Sequence, residues 1–157
     1  MNSNLPVSEI MTKNVLTVNR STDLRHVNTL MREKNIRHLP VVEDDRLVGI
    51  VSKTDIMRLS FGDIYDNQGD ADEAIFDMLT LDQVMVHRPF SVKHNEKVRD
   101  VALKLATAEY HAFPVINQDK VVGIITTTDI IKFLLRSEQR LSGYTLYILL
   151  PFNPNTA

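Results

Sequence analysis

The chain has 157 residues, enough for one domain or for two small halves sharing a core. Its 18 Lys and Arg against 20 Asp and Glu give a formal net charge of −2, with 43% hydrophobic and 24% charged residues, which excludes a disordered chain, a collagen or a coiled-coil rod and disfavours a general nucleic-acid binder. Cysteine is absent, removing disulfides and thiol chemistry, and no apolar run approaches the roughly 18 residues of a membrane helix.

The opening Met1-Asn2-Ser3-Asn4-Leu5-Pro6 has no basic region followed by an apolar one, so no secretory signal and a cytoplasmic location are expected. Leu16-Thr17-Val18 reads as a short strand. A helix follows, with Leu24, Val27, Leu30 and Met31 at helical spacing and Ser21 as its expected N-cap. Two strands come next, Leu39–Val42 and Leu47–Val51, around a polar loop of about four residues, Glu43-Asp44-Asp45-Arg46. A second helix begins near Lys53.

Residues 60–83 carry seven acids and no Lys or Arg, so an acidic linker separates two mildly basic stretches. Its stretch 66–73 lacks the spacing of a calcium loop and reads as a solvated loop. Ala74, Ile75, Met78 and Leu79 then fall at helical spacing, leading into the second half.

The order of elements then returns. Phe90-Ser91-Val92 is a strand, Val98, Val101, Ala102 and Leu105 mark a helix with Asn95 as its expected N-cap, and Phe113–Ile116 and Val121–Ile125 form a hairpin. A last helix begins near Thr127. Tyr144–Leu150 reads as an extra strand and the end after Pro151 as a mobile tail. Shifted by 74 positions, residues 7–59 lie over 81–133 without a gap, with 13 identities in 53 positions. Pro40-Val41 meets Pro114-Val115, and Val48-Gly49-Ile50 meets Val122-Gly123-Ile124. A single 53-residue unit buries too little surface to stand alone, so the copies should pack about an approximate two-fold axis with two equivalent clefts. The divisions are 7–59 and 81–135 for the repeats, 60–80 for the linker and 136–157 for the tail.

Each repeat ends its hairpin in a common motif: Gly49-Ile50-Val51-Ser52-Lys53-Thr54-Asp55, and Gly123-Ile124-Ile125-Thr126-Thr127-Thr128-Asp129. Ser52-x-x-Asp55 and Thr126-x-x-Asp129 are capping-box patterns at helix starts. The same geometry serves a ligand. Free N–H groups and a hydroxyl suit a phosphate, and the carboxylate accepts hydrogen bonds from sugar hydroxyls. Hydroxyl and carboxylate together suggest a nucleotide. Gly49 and Gly123 would let a backbone or a ligand approach closely. The five His residues show no metal-ligand spacing, and no G-x-S-x-G, P-loop or G-x-G-x-x-G occurs, so neither an enzyme nor a metal site is expected.

With these motifs the sequence resembles a tandem pair of CBS domains, a Bateman module. The resemblance rests on Arg37-His38-Leu39-Pro40-Val41-Val42 with Leu47–Asp55, and on His111-Ala112-Phe113-Pro114-Val115-Ile116 with Val121–Asp129. The openings Ile10-Met11-Thr12 and Val84-Met85-Val86 match as well, and the match covers about residues 7–135. It implies an α/β fold, two repeats of strand-helix-strand-strand-helix packed with pseudo-two-fold symmetry, and a homodimer. The implied ligands are adenosine compounds: AMP, ADP, ATP or S-adenosylmethionine. Carried over by position, Asp55 and Asp129 resemble ribose contacts, Ser52 and Thr126 phosphate-side hydroxyls, and Thr17 and Ser91 residues near the base. Arg37, His38 and His111 stand where phosphate contacts are common. Ala112 departs from that pattern, which argues against equal phosphate binding by the two clefts. The expected function is a regulatory sensor, without a resident cofactor, that signals to a separate protein partner. The alternatives are a ligand-free dimerisation scaffold and a Mg²⁺-responsive module using the acidic linker.

Overall fold

The computed structural model describes residues 4–59 and 75–142, with side chains described as far as 136. The expected acidic loop and the strand at Tyr144–Leu150 lie outside them. Among the described residues no helix is long and apolar enough to cross a membrane.

A single 3-10 turn at Val7–Glu9 opens the described chain. Repeat 1 contains β1 (Thr12–Lys13), β2 (Val18–Asn19), α1 (Leu24–Glu33), β3 (His38–Glu43), β4 (Arg46–Ser52) and α2 (Lys53–Leu59). A helical turn at 75–78 leads to α3 (Leu81–Val84). Repeat 2 contains β5 (Val86–His87), β6 (Val92–Lys93), α4 (Val98–Thr107), β7 (Ala112–Asn117), β8 (Lys120–Thr126) and α5 (Thr127–Ser142). The α/β alternation and the two-fold repetition are as the sequence predicts, with one extra short strand at the head of each repeat.

Local chemistry moves several boundaries. The N-cap of α1 is Asp23 rather than Ser21: its carboxylate accepts from the Arg25 and His26 amides, while Ser21 is held by the Asn19 side chain. The N-cap position of α4 is Lys97 rather than Asn95, without a side-chain bond. Each hairpin turns on two residues, not four. Glu43 pairs with Arg46, and Asp44 and Asp45 both have positive φ, as do Gln118 and Asp119 in the other copy. Two left-handed residues give the type I′ turn, whose twist matches the flanking strands. A register shift follows Val41 and Val115, so Val48 and Val122 are the extra residues of matching bulges.

The strands join in one sheet ordered β2-β3-β4-β8-β7-β6, symmetric about the Arg46–Lys120 pair where the two hairpins meet. The two-residue strands at the head of each repeat cross over. Thr12 and Lys13 pair with Ile124 and Gly123 of repeat 2, and Val86 and His87 pair with Ile50 and Gly49 of repeat 1. The residues before them cross with the strands. Val7 is buried with Val92, Val101, Phe113, Val115 and Ile125 of repeat 2. Phe76, Leu81 and Met85 are buried with Leu24, Val27, Leu39 and Val51 of repeat 1. Each core is therefore completed by the segment that precedes the other repeat, which is how two units too small to stand alone become one body.

The two glycines that the repeats share make that crossover fit. A Cβ on Gly49 would collide with the Met85 sulfur. One on Gly123 would lie 2.6 Å from the Met11 sulfur and 2.8 Å from the Thr12 carbonyl oxygen. The close approach expected at both glycines is made by the opposite repeat's methionine and strand, not by a ligand.

Candidate functional site

The motif Ser52–Asp55 carries a complete capping box at the start of α2. The Ser52 amide and hydroxyl donate to Asp55 Oδ2 at 2.9 and 2.6 Å, and the Asp55 amide donates to Ser52 Oγ at 3.1 Å. Thr126 and Asp129 repeat it at the start of α5, with 2.9, 2.7 and 3.3 Å. The hydroxyl protons are thus committed to the carboxylates. Both bonds use Oδ2, which leaves Oδ1 of each Asp as an acceptor; around Asp55 its nearest cation is Arg58 at 3.9 Å. Cap and acceptor coexist in one side chain.

Two cavities of similar size open beside these boxes. The first, about 480 Å³, lies against Ser52, Thr54, Asp55 and Arg58. Its far wall comes from repeat 2: Pro89 and Phe90 before β6, and Glu109–Phe113, which run from the loop after α4 into β7. The second, about 470 Å³, lies against Thr126–Thr128, and its far wall comes from repeat 1: Asn14–Leu16 and Asn35–His38. Both fall in the size range of sites for small organic ligands. His38 and His111 line both cavities and form the partition between them.

The sequence-predicted residues distribute as follows. Ser52 and Asp55 line the first cleft, Arg37 and Thr126 the second, and His38 and His111 both. Asp129 is held in the box beside the second cleft but is not among its lining residues. Thr17 and Ser91 line neither; the neighbours Leu16 and Phe90 do so instead. Sequence reasoning missed Phe90, Tyr110, Glu109 and Asn35. The signal available was adjacency: Phe90 precedes Ser91, Glu109 and Tyr110 precede His111, and Asn35 stands two residues before Arg37.

Phe90 and Tyr110, both lining the first cleft, are 51% and 54% exposed, so that cleft carries two accessible aromatic side chains. Phe90 leans on Phe113 at a 5.0 Å centroid distance, and Lys104 Nζ, paired with Glu96, stands 5.4 Å from its centroid. Burial lowers the His38 pKa below the usual imidazole value, with the charges of His111 and Arg37 acting the same way and Asp55 opposing. His38 therefore favours the neutral form, and an anion in either cleft would draw a proton onto it.

A third, more open depression of about 760 Å³ lies outside both clefts, between Asn19–Leu24 and residues 76–82. It holds the ion pairs that tie the connector to repeat 1 and none of the predicted site residues. Among the described residues no group of three or more His, Cys, Asp or Glu could hold a metal ion.

A family model described as CBS domain matches twice, at residues 7–62 and 81–136. The uncharacterized protein MJ1225 of Methanocaldococcus jannaschii is 33% identical over 132 residues, covering 83% of this chain and 43% of its own. Its crystal structure superposes with a TM-score of 0.72 over 85% of this chain and 49% of that one. CBSX2 in complex with AMP gives a TM-score of 0.71 at 24% identity, covering 85% of this chain and 98% of that one. The CBS domain pair of MJ0100, in complex with 5′-methylthioadenosine and S-adenosylmethionine, gives 0.69 at 24% identity, covering 84% and 97%. At that identity the last two show the shared fold. The chain spans less than half the length of the curated relatives it matches.

Proposed function

The chain belongs to the CBS domain family, and from that premise we propose that it is a regulatory sensor module whose two clefts bind adenosine compounds. One observation carries the reading. In the first cleft a carboxylate with a spare acceptor oxygen, Asp55 Oδ1, shares the lining with two accessible aromatic side chains from the opposite repeat, Phe90 and Tyr110. A carboxylate that accepts from vicinal hydroxyls, opposite a surface that stacks a purine, is a nucleoside site. Likeness in fold to CBSX2 with AMP and to MJ0100 with S-adenosylmethionine supports the ligand class.

Binding signals only insofar as the ligand prefers one arrangement of the repeats over another. Both far walls come from the opposite repeat, so a filled cleft touches both halves at once. No reaction is proposed. The signal passes to a separate protein, and the chain works in the cytoplasm. A second copy of the chain is the proposed occupant of the exposed stripe Ile131, Leu134 and Leu135 on α5.

Calorimetric titration with AMP, ADP, ATP and S-adenosylmethionine, with and without Mg²⁺, tests the reading after denaturation and mass spectrometry have excluded a co-purified ligand. Asp55→Asn keeps an acceptor for the cap and weakens the ribose contact, so affinity should fall with little change in melting temperature. The exposed stripe on α5 favours one other reading, a ligand-free dimerisation scaffold. In that case Asp55→Asn would leave every titration flat, and Leu134→Glu would dissociate the dimer.

A further inference from the structure

The 74-residue shift that relates the repeats also relates the linings of the two clefts, so their differences can be read pair by pair. By position Ser52 and Asp55 correspond to Thr126 and Asp129, and Arg58 to Lys132, but Asp129 and Lys132 are not among the residues lining the second cleft. The far walls differ. The first cleft has Glu109 and His111 where the second has Asn35 and Arg37. Taking His as neutral, that is two units of charge in favour of an anion in the second cleft. His38 and His111 both line the two clefts and cancel in the comparison. Arg88, the counterpart of Asn14, is not among the residues lining the first cleft, and Lys104 behind Phe90 is paired with Glu96. The apolar lining differs in step: Phe90 and Tyr110 in the first cleft, Leu16 and Ile36 in the second.

We propose that the two clefts sort adenosine compounds by charge. The second cleft, with Arg37, takes a phosphorylated one, and the first, with Glu109, Phe90 and Tyr110, takes one without phosphate, neutral or sulfonium. The guanidinium of Arg37 offers a fork of donors to a phosphate, and no carboxylate among the lining residues of that cleft repels it. In the first cleft a phosphate would meet two carboxylates, Glu109 and Asp55, against one cation, Arg58, whereas a sulfonium would meet two aromatic side chains and those carboxylates. The inference rests on the adenosine reading above and adds which cleft takes which charge.

The test uses the whole chain at low salt with ADP and S-adenosylmethionine, each titrated alone and then into protein saturated with the other. One equivalent of each is expected, bound without competition. Arg37 lines only the second cleft and Glu109 only the first, so each can be given the other repeat's residue. Arg37→His should weaken ADP about tenfold or more, the usual loss of a charge-assisted contact, and leave S-adenosylmethionine unchanged. Glu109→Asn should weaken S-adenosylmethionine and admit a second ADP. Two equal ADP sites in the unaltered chain, competition between the two probes, or an Arg37→Gln variant that binds ADP undiminished would overturn the sorting while leaving the adenosine reading intact. Failure of ligand-free protein to bind either probe would overturn the adenosine reading itself, and the sorting with it.

Discussion

In repeat 2 the exchanged segment is held by main-chain groups. The Val7 and Ser8 amides donate to the carbonyls of Glu96 and His94 at 2.7 and 3.1 Å, and the Val98 amide donates to the Leu5 carbonyl at 2.8 Å. In repeat 1 the corresponding segment, residues 75–85, is held by side-chain charge. Arg20 Nε donates to Asp82 at 2.5 Å, and Arg25 donates to Asp77 at 2.6 and 2.9 Å. Among the described residues no backbone hydrogen bond joins 75–85 to 20–24. Two halves that share topology and core pattern thus close their cores by different physics: one by bonds indifferent to pH and little screened, the other by exposed pairs sensitive to both. Equivalent position does not mean equivalent fastening.

The largest effects should come from the exchanged core residues. Leu81→Ala empties a buried site in repeat 1 and should cost about 2–5 kcal/mol; Val7→Ala, its counterpart in repeat 2, should cost about 1.5–3 kcal/mol. Because each residue belongs to one repeat in sequence and to the other in space, urea melts should stay a single transition in both variants. Separate melting of the two repeats would break the exchange account.

The glycines sharpen the contrast next. An added methyl at Gly123 meets the Thr12 carbonyl, which is backbone in a strand and cannot yield, so Gly123→Ala should lose about 1–3 kcal/mol. At Gly49 the three atoms nearest the methyl all belong to the Met85 side chain, which can change rotamer. Gly49→Ala should lose clearly less, and an equal loss in matched melts would refute the distinction.

The ion pairs give a smaller, condition-dependent effect. Hydrogen bonds from Arg25 and Arg20 hold the Asp77 and Asp82 carboxyls below their usual pKa. The stabilisation they add is full above the ordinary carboxylate range and fades as pH falls through the lowered values. Molar salt should weaken it at any pH. Hydrogen exchange should therefore show the Leu79 and Met85 amides opening faster in acid or salt, while the Val7 and Ser8 amides respond less. Smallest is the His38 effect. Its lowered pKa means that stability is kept above the unfolded value near 6.5 and lost as pH drops through the folded one. His38→Gln should flatten that slope.

The fold was legible because the same apolar pattern occurs twice, and a gapless shift aligns both the helices and the hairpins. The crossover was not. Val7, Ile10 and Met11 read as the start of repeat 1 because sequence order says so, and nothing in their periodicity reports that their partners are Val92 and Ile125. The hairpin turns were misjudged by two residues because Glu43 and Arg46 are polar like a loop yet pair as strand ends. In the site, the motif residues were readable as a capping box, a local pattern. Thr17 and Ser91 were expected near the base, but the chain lines the clefts with Leu16 and Phe90, one residue earlier, ahead of strands that begin only at Val18 and Val92. That His38 serves two clefts is a property of the two-fold arrangement, and no single repeat carries it.

The exchange of leading segments bears on ancestry. Two separate copies of one such repeat could trade the same segments across an isologous interface and form an identical pair of clefts. In that state every change in the ancestral unit would appear in both clefts at once. Joining the copies in one chain makes the partner permanent and its local concentration independent of expression level. It also lets each half vary alone. Glu109 opposite Asn35, and Arg37 opposite His111, are differences that only a fused pair can hold. Neither half can then be lost, because each keeps part of its core in the other.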